Sequence, residues 1–201
     1  NINGIYESES AFWRVDDKYA PHNAVTSTKD ILEIADRKGY RVDKEKDNVL
    51  NYVVAEVNLE DGKIADDVVI PYSDYNEVEY IYDEDLKEYV RYSRGEKQVD
   101  WDSGETITTK NIIIEKAENW TLSDGSGKGR QTLDNVTTLE GYYITNGKVI
   151  EITCEKESRS GQTVYKDLEG NEINVNDGKT FIQICPISAD ITFTNESDSE
   201  E

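Results

Sequence analysis

A single histidine, His22, stands in the stretch AFWRVDDKYAPHNAVTST, residues 11 to 28. With an ordinary pKa of about 6.5, histidine is the usual neutral-pH base or metal ligand. Nucleophilic catalysis would also need a nucleophile within reach of that base and a third group to orient it. Ser8, Ser10, Ser27 and Asp16 are near in sequence, but no nucleophile-elbow pattern surrounds any of the serines. The competing reading is structural. Pro21 fixes the backbone, and His22 and Asn23 hydrogen-bond local carbonyls and amides to aim the chain into a helix. We prefer it, because such local bonds are the usual fate of these residues.

Other motifs point to chemistry more weakly. SDGSGKGR, residues 123 to 130, has the look of a phosphate-binding loop. Such a loop needs glycine five places before its Gly-Lys pair and Ser or Thr after it. Leu122 and Gly129 stand there, so a glycine-rich turn is the better reading, with anion binding by its amides and Arg130 as the alternative. DWDSGE, residues 100 to 105, begins like a calcium loop, but Glu105 and Asn111 occupy the places where glycine and glutamate are required. An irregular calcium site on Asp100 and Asp102 competes with a solvated acidic turn, and the turn is preferred. Carboxylates are too numerous for any pair to be singled out as a glycosidase acid and nucleophile. Tyr80 with Tyr82, and Val99 with Trp101, share strand faces that could form a platform for sugars or peptides. Tyrosine also simply suits half-buried strands, and we favour that reading. Asn119, Asn135 and Asn195 head glycosylation triplets of a kind common by chance.

Cys154 and Cys185 are the only cysteines, each in a strand-like stretch. Two cysteines and one distant histidine make no zinc site unless carboxylates complete it. Two separate buried thiols come first among the readings, one disulfide second, and a reactive thiol last, since neither has a helix start or a basic neighbour to lower its pKa.

The composition narrows the function classes. The 201 residues carry 43 acidic and 22 basic side chains, a net charge of −21. That balance repels phosphate backbones and anionic membrane surfaces, and no local basic patch offsets it. Lys44 and Lys46 alternate with acids, as in a solvated loop. The acidity reads as solubility, or as attraction to a cationic partner. There is no methionine, so a processed or excised chain is expected. No apolar run approaches the roughly 20 residues of a membrane span.

These residues need a frame. TSTKDILEIADRKG, residues 26 to 39, predicts the one clear helix, over about 27–38. Ser27 caps it with Asp30 three residues on, Ile31, Leu32, Ile34 and Ala35 form its apolar stripe, and Gly39 ends it. From about residue 48 the period becomes strand-like. Residues 51–72 read as a hairpin about Asp61-Gly62, and EVEYIYDED and KEYVRYSRGE as two further strands. KNIIIEKAE reads as a central strand buried on both faces. Asn146-Gly147 predicts a type I′ hairpin, Gly170-Asn171 another, and Pro186 ends the last long strand. The expected fold is α+β: one short helix near the N-terminus, then a predominantly antiparallel β domain of hairpins with eight to ten strands. Residues 1–45 read as the end of an upstream domain or a linking segment, 46–192 as the β-rich domain, and 193–201 as a disordered acidic tail.

Several ordered motifs carry a resemblance. FWRVDDKYAPHNAVTST before a helix resembles the aromatic-Arg…Ala-Pro-His-Asn segment of the YerB-like bacterial lipoproteins, a family of unknown function. YDEDLKEYVRYSRGEKQVDWDSGETITTKNIIIE is similar to that family's Tyr-x-Arg…Asp…Gly…Asn-Ile/Val stretch, placing Tyr89, Arg91, Asp100, Gly104 and Asn111 in the motif. GSGKGR, EGYYITNGKVIEITCEK and GNEINVNDGKTFIQICPI continue the likeness over nearly the whole chain. Cys154 departs from it, standing where a tryptophan is expected. The resemblance implies a C-terminal portion of a two-part protein. A signal peptide, a lipid-bearing cysteine and an N-terminal domain would precede it. It also implies a place outside the cytoplasmic membrane of a Gram-positive bacterium, tethered through lipid.

The function expected is a cell-envelope binding or scaffolding module. Arg14, His22, Asn23, Tyr89, Arg91, Asp100 and Asn111 are its candidate ligand-binding residues, and an envelope polymer or protein is its partner. No cofactor, metal or nucleic acid is called for. The first alternative is an envelope-polymer-processing enzyme with His22 as base and Asp100 or Arg91 as helper. The second is structural support for a missing N-terminal domain. Arg91 and Asp100 could also pair with each other in a buried polar network.

Overall fold

The computed structural model describes residues 2–4, 11–43 and 48–195. Ser8, Ser10, Lys44, Lys46 and residues 196–201 of the expected tail lie outside the described residues, while Phe193 and Thr194, expected as the start of that tail, lie in a strand instead. The chain divides into two compact units, Asn1–Asp47 and Asn48–Glu201.

In the first unit β1 (Phe12–Arg14) pairs antiparallel with β2 (Ala24–Thr26), and α1 spans Thr28–Arg37. The two short strands were not expected from the sequence. The helix obeys its predicted caps. The Ser27 hydroxyl accepts from the Asp30 N–H at 3.1 Å and donates to its carboxylate at 2.6 Å. Gly39 leaves the helix at φ +65, a conformation glycine reaches without penalty. Ile34 and Ala35 are buried, whereas Leu32 of the apolar stripe is 48% exposed.

The second unit holds fifteen strands among the described residues, ten of them three residues or longer. They are β3 (Tyr52–Val53), β4 (Lys63–Ile64), β5 (Asp67–Ser73), β6 (Asn76–Asp83), β7 (Glu88–Ser93), β8 (Glu96–Lys97), β9 (Thr108–Thr109) and β10 (Asn111–Thr121). There follow β11 (Gln131–Asp134), β12 (Thr138–Thr145), β13 (Lys148–Glu155), β14 (Val164–Lys166), β15 (Val175–Asn176), β16 (Thr180–Pro186) and β17 (Thr192–Thr194). One sheet runs β17-β5-β6-β7-β8, with β9 also on β7. The larger runs β11-β10-β12-β13-β14, with β16 on β10 and β4 on β13.

Alternation along β10 explains the layering. Ile112 and Ile114 enter one core with Val68, Ile70, Tyr80 and Tyr89 of the smaller sheet. Ile113 and Ala117 point the other way, into a second core with Leu50, Tyr165, Ile173 and Val175. Successive strand residues face opposite sides. A strand apolar at every position must therefore be covered on both, as KNIIIEKAE predicted.

Two pairings depart from the hairpin picture: β10–β16 and β15–β3 are parallel. The Asp61-Gly62 hairpin is a correction too. A turn is present, with the Gly62 N–H on Leu59 O at 2.8 Å, but its flanks do not pair with each other. β3 joins β15 and β4 joins β13, because Val57 and Leu59 between them pack on the second core. Asn146 and Gly147 take φ +50 and +71, as a type I′ turn requires. Among the described residues no helix is long and apolar enough to cross a membrane.

Candidate functional site

Three of the sequence candidates lie in the first unit. Arg14 ends β1 and donates to the Asn23 side-chain oxygen at 2.5 Å. The Asn23 amide nitrogen donates to Val15 O at 3.0 Å, and the Val15 N–H returns to Asn23 O at 2.9 Å. Asn23 is thus the clamp that closes the small hairpin. His22 shares the turn but not the role. It is exposed, its backbone N–H donates to Tyr19 O at 3.0 Å, and its ring makes no hydrogen bond among the described residues. The expected pinning by His22 and Asn23 together belongs to Asn23 and Arg14.

The other four lie in the second unit, with separate fates. Tyr89 is fully buried and its hydroxyl donates to Ala65 O at 3.0 Å. Burial pushes that phenol well above its ordinary pKa. Asn111 is fully buried as well. Its oxygen accepts from the Tyr143 hydroxyl at 2.9 Å, and its nitrogen donates to Asn176 O at 2.9 Å and to the Thr180 hydroxyl at 3.2 Å. It ties β10, β12, β15 and β16 together at one end of the large sheet. Asp100 is exposed and caps its own turn, accepting from the Asp102 and Ser103 N–H groups at 3.0 and 2.9 Å. Those bonds hold its carboxyl below the ordinary value. The solvated-turn reading of DWDSGE therefore describes it. Among the described residues no cluster of three or more His, Cys, Asp or Glu is placed to hold a metal.

Arg91 is different. It sits on β7 directly opposite Tyr80 of β6. Its Nε donates to the Tyr80 hydroxyl at 3.1 Å. Its guanidinium lies 5.8 Å from the centroid of the Tyr80 ring and 5.2 Å from that of Phe181, within cation–π range of both. The Tyr80 hydroxyl also accepts from the Gln183 amide, whose oxygen receives the Tyr72 hydroxyl. Burial, chiefly, raises the pKa of Tyr72. No ion pair among the described residues includes Arg91, and none joins it to Asp100. The pairing considered for those two residues is absent. A partly buried guanidinium without a carboxylate is unusual where acids outnumber bases 43 to 22.

Tyr72, Tyr80, Phe181 and Gln183 were missed as members of this group. Tyr80 is 0% exposed, which rules out the platform alternative and exceeds the half-burial preferred for it. Trp101 and Val99, at 65% and 53% exposure, do stay open. The glycine-rich stretch is a hairpin loop between β10 and β11, with Arg130 bound to Asp124 at 2.9 Å and so committed within the loop. Both cysteines are free and buried, Cys154 in one core and Cys185 in the other.

Comparison with known proteins adds the following. Residues 68–182 match the family described as "Protein of unknown function (DUF3048) C-terminal domain". The chain is 30% identical over 199 residues to "Putative lipoprotein YerB" of Bacillus subtilis, spanning 92% of this chain and 54% of that one. It superimposes on the crystal structure of the YerB protein from Bacillus subtilis with a TM-score of 0.78 at 28% identity, covering 95% of this chain and 62% of that one. The chain thus spans about half the length of the curated relative it matches.

Proposed function

This chain belongs to the DUF3048 C-terminal domain family, and from that membership we propose that it is an extracytoplasmic binding module of a lipid-anchored envelope protein. Its ligand carries an acidic group that Arg91 receives. The lipoprotein name of the relative supports the place in the envelope. The observation that supports the ligand chemistry is the guanidinium held by Tyr80 and Phe181 with no carboxylate partner among the described residues.

Charge narrows the ligand further. At −21 the chain repels polyanions at a distance. That field is screened beyond about 8 Å at physiological salt, while a guanidinium acts at contact. One carboxylate or phosphate on an otherwise neutral carrier suits this balance better than a polyphosphate chain. Processing chemistry has less support, because His22 stands exposed with only its backbone bonded.

Thermal shift tests the reading, with inorganic phosphate, acetate and peptidoglycan fragments as probes. A probe at ten times its Kd stabilises the native state by about 1.4 kcal/mol. For a chain of this size that raises Tm by about 3–5 °C. Arg91→Gln is expected to remove the shift while the chain still folds. A shift that survives Arg91→Gln, or none with any acidic probe, overturns the reading.

A second reading, structural support for another part of a longer protein, draws on the first unit. Trp13, Tyr19, Leu32, Tyr40 and Val42 are between 41% and 93% exposed there. Its test is fluorescent-dye binding to exposed apolar surface. The reading expects dye binding that falls when Trp13 and Leu32 are changed to serine, and fails if dye binding is negligible.

A further inference from the structure

We propose a second binding site in the second unit, an uncharged cleft that takes a neutral, hydroxyl-rich ligand of saccharide type. The cleft lies between the β5–β6 hairpin and the β10–β11 ribbon and encloses about 510 Å³. None of its eleven lining residues is charged. Eleven residues drawn at random from a chain that is 32% charged would carry several charges.

The polar lining is amide and hydroxyl. Asn76 comes from the start of β6, Asn119 from the far end of β10, and Gln131 and Thr132 from β11. The side-chain amides of Asn76 and Asn119 have no hydrogen-bond partner among the described residues. Gln131 commits its nitrogen to the Thr121 hydroxyl at 2.8 Å and to Gly129 O at 3.0 Å. Its oxygen remains to accept. The apolar part of the lining includes Ala117, Leu133, Ile184 and Pro186.

This pattern matches one ligand chemistry. An amide offers a donor and an acceptor side by side, which suits neighbouring hydroxyls that must each give and take a proton. The apolar lining residues suit the C–H face of a pyranose ring. Without a charge on the walls, an ionic ligand would lose its water with no Coulombic return. The volume falls in the range of about 300–1,000 Å³ typical of small-ligand clefts. The proposal does not rest on Arg91, which is not among the lining residues.

The experiment is a titration of the 201-residue chain with N,N′-diacetylchitobiose, an uncharged two-ring saccharide, followed by ¹⁵N NMR. The side-chain amide signals of Asn76, Asn119 and Gln131 are expected to move together, with a Kd on the order of 1 mM. Asn119→Leu should weaken binding about tenfold, the equivalent of one lost hydrogen bond. Gln131→Ala provides a second variant should Asn119→Leu disturb the ribbon. Raising the salt about tenfold should leave the isotherm unchanged. Absent shifts, shifts mapping elsewhere, strong salt dependence, or displacement of the saccharide by inorganic phosphate would each overturn the proposal. The last would make this cleft and the Arg91 site one.

Discussion

Asn111→Leu isolates what the buried amide at the start of β10 does. Leucine is close in size, so the change removes hydrogen bonds and leaves little void. Two buried groups then lose partners: the Asn176 carbonyl and the Tyr143 hydroxyl proton. Thr180 is less affected, since its hydroxyl also lies 3.2 Å from the Tyr52 hydroxyl. Each unsatisfied buried group costs about 1–3 kcal/mol, so the loss should be about 4 kcal/mol. That is a large share of the about 5–15 kcal/mol that holds a typical domain together. With a urea dependence of about 2 kcal/mol per molar, the unfolding midpoint should fall by about 2 M, with an unchanged slope. Circular dichroism at increasing urea reads this directly. A loss below about 1 kcal/mol would refute the argument, showing that the network tolerates a missing member and reopening Asn111 as a ligand residue.

Three other perturbations check separate parts of the structure. Asp67 has a buried oxygen with no hydrogen-bond partner among the described residues, and its carboxyl pKa is raised by burial and then by Glu77. A raised acid binds its proton more readily folded than unfolded, so its stability contribution is complete below about 3.8 and is lost as pH rises through the folded pKa. Asp67→Asn should therefore gain on the order of 0.5 kcal/mol at neutral pH after solvent screening. The gain should vanish below about pH 3.8, and a gain equal at pH 3 and pH 7 in urea titrations would contradict the assignment. At Gly141 an added Cβ would stand 2.3 Å from Ile114 O and 2.7 Å from the Cys154 sulfur. Gly141→Ala should cost about 3 kcal/mol or more by overpacking, and a melting temperature within about 2 °C of the parent would count against that close approach. Burial, with Glu115 nearby, pushes the Cys154 thiol up to about 12, and burial raises Cys185 as well. Iodoacetamide at mild alkaline pH should leave the native mass unchanged and add two groups after unfolding. Rapid labelling of the native chain would show that at least one thiol is open.

What the sequence revealed was local. Ser27, Asp30 and Gly39 bracket the helix because capping is settled within one turn of chain. Asn146-Gly147 announces its hairpin because two residues suffice to set a type I′ turn. KNIIIEKAE announces a strand buried on both faces because its apolar run lacks alternation. What stayed hidden was non-local. No short pattern says that β10 takes β16 as a parallel neighbour, or that β3 leaves its expected hairpin for β15. The same limit governs the site. Tyr89, Asn111 and Arg91 sit in one ordered motif, yet two are interior and one reaches partly toward solvent. That difference arises from Ile112, Tyr80 and Phe181 packing across two sheets. That Tyr80 is covered completely stayed hidden for the same reason. Strand alternation gives two faces, and only the opposing sheet decides which is covered.

The parallel strand beside β10 also bears on when the chain can fold. β16 joins β10, β15 joins β3 and β17 joins β5, so three late strands close on three early ones. Contacts so far apart in sequence make folding slow, since the loop-closure cost comes before the contacts that offset it. A growing chain that stops short of Thr180 has no neighbour on one side of its central strand. That side of the core stays open until β16 is made. A chain truncated before Thr180 would leave the β10 edge bare, presenting unpaired backbone donors and acceptors that recruit other chains into aggregates.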